Sequence, residues 1–137
     1  TKYTIMNITL EEVIHLYLGC RVQMNDGSKA ILICYDNTTK QCTLATQRYF
    51  TASISDNTFK PILRTLQSMT IEDAIHLWGL QNKHFFLNEE YYPDTKFHPA
   101  FNFYNKIDTI GPYGLLYITG RHYDLFKLIE TNQALAQ

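Results

Sequence analysis

Apolar and polar positions along this chain alternate with two different periods, and the changes of period divide it into elements. From Cys20 to Met24 the alternation is that of a strand, and Asn25-Asp26-Gly27-Ser28 supplies the residues that a tight hairpin turn demands. Lys29 to Tyr35 follows as a continuous apolar strand. Asp36-Asn37-Thr38-Thr39-Lys40 makes a second turn, and Gln41 to Gln47 places Cys42, Leu44 and Thr46 on one side. Arg48 to Ile54 extends the meander to a fourth strand. Phe59 to Leu63 is another extended run, and Pro61 within it argues for an edge strand or an extended arm, because proline has no N–H to give a ladder.

The helical period occurs in two similar segments, Thr9 to Gly19 (TLEEVIHLYLG) and Thr70 to Gly79 (TIEDAIHLWG). Thr9 and Thr70 are placed to cap a first turn, with Glu12 or Asp73 three positions on to complete a capping box. Gly19 and Gly79 suit the left-handed residue that closes a helix. Leu10, Val13, Ile14 and Tyr17 share one face, as do Ile71, Ala74, Ile75 and Trp78, so both helices are expected to dock by the same stripe. Glu12 and His15 have the Glu-x-x-His spacing of carboxylate-bridged metal bundles, whose ligands point into a bundle core. Here His15 and His76 fall on the polar side with Glu11, Glu12, Glu72 and Asp73, so the pattern is read as solvent-facing, and no metal or cofactor is assigned.

The 137 residues fit a single α+β domain, 1–137, with 45% hydrophobic residues to build its core. Its expected parts are a short N-terminal helix, an antiparallel meander of three to five strands, a second short helix, an aromatic-rich irregular segment and a C-terminal helix. That last helix is read from Pro112 onward, with Leu115, Ile118, His122, Leu125 and Ile129 as its apolar stripe and His122 on the helix face near the core. A formal charge of −1 provides no global field for nucleic acid or an anionic membrane. The sequence has no basic leader and no apolar run of membrane length, which leads to the expectation of a cytoplasmic protein. Cys20, Cys34 and Cys42 are odd in number, lack metal-knuckle spacing and fall in or beside strands, so all three are expected to be buried, reduced thiols.

Residues 84–104, HFFLNEEYYPDTKFHPAFNFY, break both periods. Aromatic rings interleaved with polar groups can anchor a protein, stack on a base or cover a sheet. Tyr91 and Tyr92, beside Pro93, are expected to be exposed, and with Lys96 and His98 they form the candidate binding set. Glu89, Glu90 and Asp94 outnumber Lys96, a charge balance that argues against nucleic acid.

Three further patterns carry a resemblance. They are Tyr17 to Val22 (YLGCRV), Lys60 to Arg64 (KPILR) leading to Ser68-Met69-Thr70, and His122 to Ile129 (HYDLFKLI). On these the chain resembles a loose group of small proteins of phages and prophages of gut anaerobes. Thr65 stands where that group has a second proline, and Lys127 where it often has glycine. The resemblance implies a mobile-element origin and an intracellular role, and brings no activity with it. The expectation is a non-enzymatic protein that binds another protein, such as a host factor. The alternative is a small-molecule or nucleic-acid binder using residues 84–104.

Overall fold

In the computed structural model the first hairpin closes as a three-residue loop. The Gly27 N–H donates to the Met24 carbonyl at 2.9 Å, and the Met24 N–H donates to the Ser28 carbonyl at 2.7 Å. Gly27 takes φ +89°, a left-handed conformation that glycine adopts without a Cβ clash. The Asp26 carboxylate locks the loop by accepting from the Ser28 N–H and hydroxyl at 2.8 and 2.6 Å. The structure describes residues 8–70, 72, 73, 76 and 112–137.

The strands are β1 (Arg21–Met24), β2 (Lys29–Asp36), β3 (Gln41–Ala45), β4 (Tyr49–Ser53), β5 (Phe59–Leu63) and β6 (Leu135–Ala136). They form one mixed sheet in the order β4-β3-β2-β1-β5-β6. The first four make the expected antiparallel meander. β5 then returns beside β1 instead of following β4, with Pro61 opposite Val22. Its outer side carries β6, which runs parallel to it at Ile62 and Leu63. The edge-strand reading of β5 is therefore corrected: β6 begins just past Pro61, so the missing N–H does not interrupt that ladder.

One face of the sheet builds the core. Val22, Leu32, Leu44 and Leu63 are fully buried there, and Ile14, Tyr17, Ile118, Leu125 and Leu128 cover them. At the start of that cover lies α1 (Leu10–Val13), where Glu12 accepts from the Thr9 N–H and hydroxyl at 3.0 and 2.9 Å. The expected helix is shorter than its sequence signature. It tightens into a 3₁₀ turn over Ile14–Tyr17, at a β-branched Val-Ile pair that favours helix weakly, and closes through Gly19 at φ +91°. The tightened turn puts the Tyr17 hydroxyl in the core, where it donates to the Tyr123 carbonyl at 2.7 Å and accepts from the Leu125 N–H at 3.2 Å.

Two more expectations are corrected. Cys20 and Cys42 are buried, but Cys34 is exposed. A bulge between Leu32 and Cys34 slips the β2–β3 register, so Cys34 faces outward opposite Thr43 and Tyr35 turns inward opposite Cys42. The C-terminal helix α2 spans only Pro112–Gly120. Beyond it His122, Lys127 and Asn132 adopt φ of 65°, 59° and 63°, and the chain runs as successive turns to β6. No helix among the described residues is long and apolar enough to cross a membrane.

Candidate functional site

Asp73 is the most heavily engaged polar group of the described residues. It lies three positions after Thr70, whose hydroxyl accepts the Asp73 N–H at 3.1 Å and so makes one half of the anticipated capping box. The Thr70 N–H donates to the Tyr123 hydroxyl at 3.4 Å, and the carboxylate makes its shortest bonds elsewhere. It accepts from the Tyr117 hydroxyl at 2.6 Å and the Tyr123 hydroxyl at 2.5 Å. Arg121 Nε lies 3.2 Å from Oδ1, and Arg64 Nη1 lies 3.7 Å from Oδ2. Asp73 is only 3% exposed, so its placement on a solvent-facing polar side is corrected. Burial is the strongest single influence on its carboxyl and pushes the pKa up. The hydrogen bonds from Tyr117 and Tyr123, the Arg121 charge and the contact with Thr70 together outweigh it and hold the group below its ordinary value.

Each partner comes from a different part of the fold. Arg64 follows β5, Tyr117 lies in α2, and Arg121 and Tyr123 lie in the turn that ends α2. Backbone bonds set that turn beside β5: the Arg64 N–H donates to the His122 carbonyl and the Asp124 N–H to the Arg64 carbonyl, both at 2.8 Å. The Arg64 guanidinium lies 5.3 Å from the centre of the Tyr123 ring, a cation–π distance. Tyr117 also stacks on His76, with ring centroids 4.3 Å apart, and is pushed up to about 12 by burial and then by its bond to Asp73. The cluster is a charge-assisted knot in which every carboxylate oxygen is occupied, and it ties β5, α2 and the Thr70 turn together. Asp124 is likewise buried, and its oxygens accept the Leu128 and Ile129 N–H groups at 2.8 and 2.9 Å, which folds the turn that follows it.

The second face of the sheet presents a surface instead of a knot. Registered pairs line up Tyr49, Ala45, Ile31 and Arg21 across β4, β3, β2 and β1. Tyr49 is 75% exposed, Ile31 37%, and Ile33, which the bulge leaves unpaired, 41%. The neighbouring row on one side is Lys29, Gln23 and Lys60. On the other side come Cys34, Thr43 and Thr51, then Asp36, Gln41 and Ser53. The face thus grades from cationic through apolar to polar, with one carboxylate, Asp36, at the far end.

The sequence candidates Tyr91, Tyr92, Lys96 and His98 lie outside the described residues, as do Ile71, Ala74, Ile75, Trp78 and Gly79 of the second helical segment. His15 is exposed. Among the described residues no group of three or more His, Cys, Asp or Glu is arranged to hold a metal ion. The exposed apolar row was missed because Lys29 to Tyr35 reads as a strand buried on both sides. The alternation of β2 against β3 was the available signal, since only every second residue of that run meets the core. No protein-family model matches the chain, and neither a curated protein nor a solved structure does.

Proposed function

We propose that this is a non-enzymatic binding protein that docks a partner protein on the open face of its sheet. The observation that carries the reading is the exposed row Tyr49, Ala45, Ile31 and Arg21, with Ile33 beside it and Lys29 and Lys60 on its flank. An aromatic anchor and β-branched side chains on a sheet face form the apolar centre of an interface, and the cations form one side of its rim. The complementary partner presents an apolar strip bordered by carboxylates. An intracellular role of phage or prophage type, acting on a host factor, fits such a surface and rests on the resemblance of the Lys60–Arg64 and His122–Ile129 patterns.

Two features of the interior support a role other than catalysis. Asp73 is saturated with donors and held ionised below its ordinary range, which makes it a poor proton acceptor. Burial pushes the Cys20 and Cys42 thiols up to about 12 and about 11, away from the nucleophilic thiolate.

The test compares capture from host lysate by the wild type, by Ile31→Lys and Tyr49→Lys on the sheet face, and by Tyr113→Lys on the exposed surface of α2. Light scattering first establishes whether two copies associate. The expected result is a protein retained by the wild type and Tyr113→Lys but lost by roughly tenfold or more in the sheet-face variants, the effect of about 1.4 kcal/mol. Recovery of the same proteins by all four chains overturns the assignment. So does self-association that Tyr49→Lys abolishes, because the face would then be covered by a second copy.

A further inference from the structure

Arg21, Arg64 and His122 line one recess of about 330 Å³, whose remaining walls are Gly19, Ile62 and Gln137. None of its lining side chains is a carboxylate. The Arg21 side chain, on β1, makes no hydrogen bond or ion pair among the described residues, so its whole fork of donors is open. Arg64 is anchored through Nη1 alone, to Asp73 and to the Tyr123 hydroxyl, and its described bonds leave Nε and Nη2 unused. His122 is half-buried and hydrogen-bonds the Leu18 backbone. Burial lowers its pKa first, and the neighbouring charges of Arg64 and Arg121 lower it further, which places a neutral imidazole within electrostatic reach of two guanidinium groups. Among the described residues Asp73 is the one carboxylate paired with Arg64 and Arg121, so positive charge is left over on a chain whose formal total is −1.

The backbone that presents His122 is itself unusual. The His122 N–H donates to Thr119 and the Tyr123 N–H to Ile118, the paired bonds of a Schellman closure, with His122 at φ 65° in the left-handed position that glycine normally occupies. A side chain there costs about 1 kcal/mol relative to glycine. Gly120 is two residues away, so the helix accepts this cost at the position that places an imidazole in the recess. A second recess, of about 320 Å³, shares Arg64 and Gln137 with the first and adds Thr65, Ser68 and Thr70.

We infer that the paired recesses bind a small phosphomonoester, with its phosphate held by Arg21 and Arg64 beside the His122 imidazole and its hydroxyl-bearing body lying across Thr65, Ser68 and Thr70. A phosphomonoester carries about −1.5 to −2 charge at neutral pH and offers three acceptor oxygens, which matches two guanidinium forks better than a monovalent carboxylate does. Each recess falls in the size range of small-ligand sites, about 300–1,000 Å³. A strand of nucleic acid needs a cationic track, and a two-arginine recess supplies one phosphate position. This site shares Arg21 with the end of the row around Ile31 and Tyr49, but the docking test rests on Ile31 and Tyr49 and the binding test on Arg21 and the recess, so either assignment can fail without the other.

The test titrates the full chain by calorimetry with inorganic phosphate, a mononucleotide monophosphate, the matching nucleoside and a single-stranded oligonucleotide. The monophosphate is expected to bind at micromolar to millimolar concentration, about tenfold tighter than inorganic phosphate, while the nucleoside gives no heat. Arg21→Gln should weaken the monophosphate by about tenfold or more and leave the unfolding midpoint unchanged, since the Arg21 side chain has no hydrogen-bond or ion-pair partner among the described residues. Arg21→Lys should recover part of that loss, because it keeps the charge without the fork. Absence of monophosphate binding overturns the inference, as does affinity unaltered by Arg21→Gln. Equal affinity for inorganic phosphate and the monophosphate overturns the role given to Thr65, Ser68 and Thr70. Tighter, steeply salt-dependent binding of the oligonucleotide reassigns the site to nucleic acid.

Discussion

Asp73→Asn preserves the volume of the knot and removes its charge. In the wild type the carboxylate accepts two phenolic hydrogen bonds, at 2.6 Å from Tyr117 and 2.5 Å from Tyr123. A hydrogen bond to a charged group contributes about 1.5–3 kcal/mol. Asparagine has one oxygen, so it can accept from one of the tyrosines, while its amide must face the other and oblige that hydroxyl to act as acceptor. One charge-assisted bond is therefore lost and the remaining one becomes neutral. The ion pairs add less. The Arg121 and Arg64 side chains are 50% and 34% exposed, so each contact amounts to under about 1 kcal/mol, although the two guanidinium groups then lose their shared counter-charge. The sum is a destabilisation of about 2–4 kcal/mol.

Urea unfolding followed by far-ultraviolet circular dichroism measures this directly, with the slope checked for constancy between the two proteins. The pH dependence supplies an independent check of sign. Because the folded state lowers the Asp73 pKa, its contribution is fully present above the ordinary aspartate value of about 3.9 and is lost as pH falls through the lower folded value. The gap between wild type and Asp73→Asn should narrow in that acid window. Asp124, raised chiefly by burial, has the opposite dependence, but it is common to both proteins and cancels in the difference. A loss below about 0.5 kcal/mol at neutral pH, the size of an ordinary surface substitution, would refute the knot as a stabilising element.

The other two predictions concern accessibility and protonation. A thiol reagent applied to the native protein should label Cys34 alone and rapidly, with Cys20 and Cys42 reacting only in denaturant; prompt native labelling of either buried thiol would contradict the β2–β3 bulge and the core. His122, whose pKa folding lowers chiefly by burial, should cost stability as pH drops below its ordinary value of about 6.5, where the unfolded chain takes up a proton first. His122→Gln should flatten that part of the stability profile, and an unchanged slope would show that the imidazole is not held neutral by the fold.

The meander was legible because its information is local: alternation names the strands, and Asn25-Asp26-Gly27-Ser28 names the turn. The bulge at Ile33 was not, since a one-residue slip leaves composition and apparent period untouched while reversing which side Cys34 faces. The end of α2 was misread for a related reason. Apolar spacing continues through Leu125 and Ile129, but His122, Lys127 and Asn132 each turn left-handed, and none of them is a glycine that would mark the break. The twin helical segments make the general point. Glu12 and Asp73 occupy the same place after a capping threonine, and a wheel puts both on the polar side. Glu12 stays there, exposed and bonded to Thr9. Asp73 meets Tyr117, Arg121 and Tyr123, more than forty residues further along, and their arrival turns a solvent-facing position into the hub of the interior. Periodicity describes a helix before anything packs on it, so a carboxylate's burial depends on distant residues whose own placement is fixed by β5 and the Schellman closure. The pair of matching motifs therefore encodes two helix starts, and the difference between a cap and a knot lies in the partners that the rest of the chain brings to the second.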